Sequence, residues 1–113
     1  MEIYTINLEL GRPDVQSALK HAEFSIASVR AQGGRLIKFI HGYGSSGKGG
    51  KIRTQVRKML NSYKQKGRVS VCVYGENFSI FDAGTRYLLD RYPSLAKDPD
   101  LNRGNMGITF VYL

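Results

Sequence analysis

At 113 residues the chain has room for one hydrophobic core and not for two independent domains. Its 42% hydrophobic and 23% charged composition excludes an intrinsically disordered segment, and no run of about 18 apolar residues offers a membrane span. Seventeen Lys and Arg against nine Asp and Glu leave a net charge of +8, so an anionic partner is expected, nucleic acid first.

Met1 to Leu10 lacks the basic and then apolar pattern of an export signal. The single cysteine, Cys72, cannot form an internal disulfide and has no cluster of Cys or His with which to build a zinc framework. A cytoplasmic protein without membrane association is expected.

In chain order, Glu2 to Leu10 is rich in β-branched and aromatic residues and predicts a first strand, broken by Gly11 and Arg12. Pro13 suits a first helical turn. Val15, Ala18, Leu19, Ala22, Ile26 and Val29 then follow at steps of three and four, predicting an amphipathic helix that stops at Gly33-Gly34. Leu36 to Ile40 is a compact apolar run and predicts a second strand, leaving through His41 into a glycine- and serine-rich loop, Gly42 to Gly50. Ile52, Val56, Met59, Leu60 and Tyr63 mark a second helix, with Gly67 as its stop. Val69 to Tyr74 alternates and predicts a third strand with Cys72 half-buried in it.

Glu76 to Asn105 is less regular, and it is the segment to which any protein partner would be assigned. Within it Asp82 is placed to cap a short helix through Tyr87, Leu88 and Tyr92, and Pro93 to Asn105 reads as loop. Met106 to Leu113 closes the chain as a last strand. Strands alternating with helices at this spacing predict a single α/β domain over residues 1–113. Its expected form is a two-layer βαβαβ(α)β sandwich on a mixed, mainly parallel four-stranded sheet.

The loop after His41 carries the functional argument. Glycines admit positive φ and close approach of a ligand, the free N–H groups opening a helix favour an anion, and Lys48, Lys51, Arg53 and Arg57 add charge. Gly42, Gly47 and Lys48 have Walker A spacing, but Gly49 stands where Ser or Thr should hold a metal ion. Gly42, Gly44 and Gly47 also make GxGxxG, yet it follows the second strand, and the acidic partner of a dinucleotide site is missing near Lys66 to Val69. A plain connecting loop is the third alternative.

Ile40-His41-Gly42-Tyr43-Gly44, with Ile52-Arg53 and Val56-Arg57 behind it, resembles the HGxG motif and basic helix of the Smr (small MutS-related) domain. Gly107-Ile108-Thr109-Phe110-Val111 resembles that family's closing strand, and Leu8-Glu9-Leu10-Gly11-Arg12 falls where it carries LDxHG. The resemblance spans nearly the whole chain. It implies binding of DNA or RNA, with endonuclease activity in several members through the first-motif acid and His and the HGxG loop. Glu9 keeps the acid and His41, Gly42 and Gly44 match the second motif, whereas Gly11 replaces the first-motif His, the loop is longer than usual, and Glu76 to Asn105 looks like an insertion or extended loop before the last strand.

The expected catalytic residues are therefore His41 and Glu9, the two proton carriers available for phosphodiester hydrolysis. The expected nucleic-acid contacts are Arg12, Gly42, Tyr43, Gly44, Lys48, Lys51, Arg53 and Arg57, Tyr43 being able to stack on a base. His21 is expected on the surface. No cofactor or metal-ligand set is read, and a divalent ion for cleavage stays open. Binding ranks above cleavage. The competing classes are a nucleotide-phosphate binder on the Gly42 to Gly50 loop and a protein-interaction module exposing Phe78, Ile80 and Phe81.

Overall fold

The computed structural model describes residues 2–44 and 49–113. Four strands, β1 (Ile3–Asn7), β2 (Leu36–Ile40), β3 (Val71–Tyr74) and β4 (Ile108–Tyr112), form one sheet in the order β1-β2-β4-β3. Three helices accompany it, α1 (Val15–Ala31), α2 (Gly49–Gln65) and α3 (Ala83–Arg91). Among the described residues no helix is long and apolar enough to cross a membrane.

The elements stand where the sequence pattern puts them, and their ends have local causes. Asp14 rather than Pro13 opens α1, its carboxylate accepting from the Ser17 amide at 2.8 Å, and Gly33 at φ +80° ends it. Gly67 at φ +76° closes the turn after α2. Asp82 caps α3 as expected, accepting from the Thr85 amide at 2.8 Å. The first strand is shorter than its apolar pattern, because β2 offers it only five partners, from Ile3 opposite Leu36 to Asn7 opposite Ile40. Leu8 to Gly11 is turn.

The sheet is mixed, with one arrangement the pattern did not contain. β1, β2 and β3 run in one direction, but β4 runs against them between β2 and β3. β1–β2 is thus the parallel pair, while β2–β4 and β3–β4 are antiparallel. The two interior strands are apolar on both faces, and they are the ones with nearly continuous burial.

One face of the sheet packs Ile37, Phe39 and Val111 beneath α1 and α2, through Ala22, Ile26, Val56 and Leu60. The other face is covered by the segment expected to be an insertion. Phe78, Leu88, Tyr92 and Leu95 lie on Leu36, Val73, Ile108 and Phe110, adding a third layer to the sandwich. Pro93 to Asn105, expected as loop, contains a 3-10 turn at Pro93–Lys97. Asp98 and Asp100 beyond that turn hold Lys38 of β2 at 3.1 and 2.6 Å. Segment 76–105 supplies four of the eight buried residues in the core on that face and is packed into it.

Candidate functional site

The chain leaves β2 through His41 and is clamped at once to the residue before β4. The His41 and Gly42 amides both donate to the Gly107 carbonyl, at 2.9 and 3.1 Å. Gly42 then turns at φ +75° and Gly44 at φ +99°, a region that side chains with a Cβ avoid. A Cβ on Gly42 would also lie 2.1 Å from Glu9 Oε1, so the first-strand turn and the loop touch there. A Cβ on Gly107 would press on Gly42 Cα and Tyr43 Cδ1, both at 3.3 Å.

His41 is fully buried, and its protons can be placed by elimination. Nδ1 lies 2.8 Å from the Gly42 carbonyl oxygen, which only accepts, so Nδ1 carries a proton. Nε2 lies 2.8 Å from Thr109 Oγ1, and Arg57 Nε donates to that same hydroxyl oxygen at 3.0 Å. Burial keeps the ring neutral, so with its one proton on Nδ1 the Nε2 atom accepts, and the Thr109 hydroxyl donates to it. The result is a directed chain, Arg57 to Thr109 to His41 to Gly42, with the ring neutral and both nitrogens occupied. Burial drives the imidazole down from 6.5 to about 4; the Gly42 carbonyl opposes this, and the positive charges of Arg57 and Arg53 add to it.

Arg57 in turn is held by Glu76. Nη1 and Nη2 donate to Glu76 Oε2 and Oε1, each at 2.7 Å, and Nη2 also reaches the Ile108 carbonyl at 3.1 Å. The guanidinium lies 4.1 Å from the centre of the Tyr74 ring. Hydrogen bonds from Arg57 hold the Glu76 carboxyl down at about 2, against the opposing effect of desolvation.

The expected site residues divide in two. His41, Gly42, Tyr43, Gly44 and Glu9 come together at the carboxyl end of β2, with Tyr43 and Glu9 exposed. Arg12 is exposed on the turn closed by its amide to the Glu9 carbonyl at 3.0 Å, and Lys51 is exposed in the first turn of α2. Arg53 is half-buried, 3.4 Å from Glu76 Oε2, and its Nε is a buried donor without a partner among the described residues. Lys48 and Gly47 lie outside the described residues.

Two expectations are corrected. Arg57 points inward with all its nitrogens engaged, so it supports the loop instead of contacting a phosphate. His41 has no free ring nitrogen, so the pairing of His41 with Glu9 as two proton carriers is not assembled. Of the apolar trio, Phe78 is core, its ring 4.5 Å from that of Phe110, whereas Ile80 and Phe81 are exposed. His21 is on the surface and Cys72 half-buried, with burial pushing its thiol up to about 11.

Nothing in the sequence gives Thr109 or Glu76 a role at the site: Thr109 stands inside the closing strand as one of its residues, and Glu76 at the edge of segment 76–105. The charge pattern also marks this region: no Asp or Glu stands between Glu23 and Glu76, a stretch that carries 11 Lys and Arg. No protein-family model matches the chain, and neither a curated protein nor a solved structure matches it.

Proposed function

We propose that the protein is a nucleic-acid-binding domain of Smr type that holds the phosphate backbone at the Gly42 to Gly44 turn, with Arg12, Lys51 and Arg53 supplying charge. One observation carries this reading. Helix α2 opens directly from the loop with five cations and no acid, and among the described residues its Lys51, Lys58 and Lys64 form no ion pair. An acid-free helix with unneutralised cations along its length favours a polyanion over a neutral or cationic ligand. Exposed Tyr43 adds a ring face beside it.

The reading is of binding before cleavage. General acid–base catalysis needs a titrating group that reaches the substrate, and His41 is buried, neutral and hydrogen-bonded at both nitrogens. The test is polynucleotide affinity against salt concentration, with labelled single-stranded RNA and duplex DNA. A binder loses affinity with a slope of about −0.7 to −0.9 per phosphate contacted, and Lys48→Ala, Lys51→Ala and Arg53→Ala together should flatten it. An unchanged slope removes the loop from the footprint. Stabilisation by ATP or NAD, with none by oligonucleotides, would replace this reading with that of a nucleotide-phosphate binder.

A further inference from the structure

We infer that the groove between α1 and α2 is a track for the sugar-phosphate backbone of a double-stranded nucleic acid, extending contact from the loop along the full length of α2. The inference rests on the proposed polynucleotide binding and adds to it the class of ligand and the path it takes.

The groove begins beside the loop, where Pro13, Asp14, Lys51 and Ile52 line a hollow of about 200 Å³, the Asp14 carboxylate there capping α1 through the Ser17 amide. It continues between the helices as a larger one of about 440 Å³, where Lys20 of α1 and Lys58 of α2 share the walls with Leu19 and Met59. Lys51 and Lys58 are seven residues apart, two helical turns or about 10.5 Å, and so point to the same side. At the foot of α2 the Arg68 guanidinium lies 4.2 Å from the centre of the Tyr63 ring, and Arg30 donates to the Arg68 carbonyl, which fixes a second guanidinium there. The α2 wall has no acid; Glu23 on the α1 wall faces it beside Lys20.

This arrangement distinguishes duplex from single strand. Binders of single strands offer exposed rings on which bases stack. Exposed Tyr43 offers such a ring at the loop, but along the groove itself the aromatic residue, Tyr63, is only 9% exposed and lies under Arg68, so what the groove presents is charge on long, adaptable stems. Such a surface reads a backbone of fixed shape and not bases. The 17 residues of α2 span about 25 Å, which matches about seven base pairs.

The test compares 20-base-pair DNA and RNA duplexes with their separated strands. Three proteins are used: the unaltered protein, a groove variant (Lys20→Gln, Lys58→Gln, Arg68→Gln) and a loop variant (Lys51→Ala, Arg53→Ala). The expected result is tighter binding of at least one duplex than of its strands, and a DNA salt slope less steep by about 2.7 in the groove variant, three contacts at about 0.9 each. The two duplex arms tell DNA from RNA. If the loop variant flattens the slope and the groove variant does not, the track is wrong and polynucleotide binding stands. If the unaltered protein binds no polynucleotide, both fall. Single strands bound as tightly as duplexes overturn the duplex assignment. Should the groove variant fail to fold, lysine acetylation of the unaltered protein decides: bound duplex should shield Lys20 and Lys58 but not Lys97 beyond the opposite face. Equal modification of all three rejects the track.

Discussion

Arg57 and Glu76, 19 positions apart, meet through two parallel hydrogen bonds of 2.7 Å, which tie α2 to the turn that follows β3. Arg57 is only 7% exposed, so the carboxylate is what makes burial of its charge tolerable. Glu76→Ala should therefore destabilise the fold by about 3 kcal/mol in urea unfolding, far more than loss of an exposed ion pair. Arg57→Met in the same chain should recover part of that loss, because it removes the stranded charge. A second substitution that only adds to the damage would argue that Arg57 is stabilising by itself.

Acid should weaken the protein in two steps. The His41 ring is lowered from 6.5 to about 4 in the folded chain, so the unfolded chain takes up that proton first. Its contribution is complete above pH 6.5 and is lost as pH falls towards 4, an effect of about 3 kcal/mol. Glu76, lowered from 4.5 to about 2, adds a second loss as pH falls through that lower window. Urea midpoints measured from pH 8 to pH 3 would show the first decline starting near 6.5. A His41 ring titrating in the folded state near 6.5 would contradict the placement of its protons, as would nitrogen chemical shifts with Nε2 protonated at pH 7.

Thr109→Val keeps the shape of the side chain and deletes the hydroxyl shared by Arg57 and His41. Two buried groups lose their partner, a cost of about 2 kcal/mol. If Thr109 acts by holding His41 and hence the loop, polynucleotide affinity should fall while the salt slope stays as it was, since no phosphate contact is removed. A changed slope would place Thr109 in direct contact with the ligand.

Two glycines should respond differently to alanine. Gly42 sits at φ +75°, and its added Cβ would meet the Glu9 carboxylate, the movable end of an exposed side chain. The cost there is mainly backbone strain, about 1 to 2 kcal/mol. Gly75 is not in the positive-φ region, yet its Cβ would lie 1.9 Å from the Asn105 carbonyl oxygen, which is main chain and cannot step aside. Gly75→Ala should be the more damaging of the two by thermal melting, although φ alone would rank them the other way.

What could be read in advance follows physical range. The apolar periods of Val15 to Val29 and Ile52 to Tyr63, the stops at Gly33 and Gly67, and the cap at Asp82 are local, and they are legible because a helix answers to its own neighbours. The neighbour relations of β4 are not local. Yet Ile108 to Tyr112 and Leu36 to Ile40 are apolar on both faces where Ile3 to Asn7 is not, and that contrast marks interior against edge strands. The turn at Gly42 and Gly44 was legible because only glycine suits it. The inward aim of Arg57 was not, since a cation on a helix beside a glycine loop reads as exposed until its partner, Glu76, is known to be within reach.

The place of β4 also sets an order of events during folding. β2 and β3 share no hydrogen bonds, so the sheet is two separate pieces until the strand that lies between them arrives. His41 and Thr109 are 68 positions apart, and their contact closes in that same step. Pairings of such long range form slowly. The histidine chain beneath the loop therefore forms only when β4 pairs with β2, and the turn at Gly42 depends on that pairing for its support.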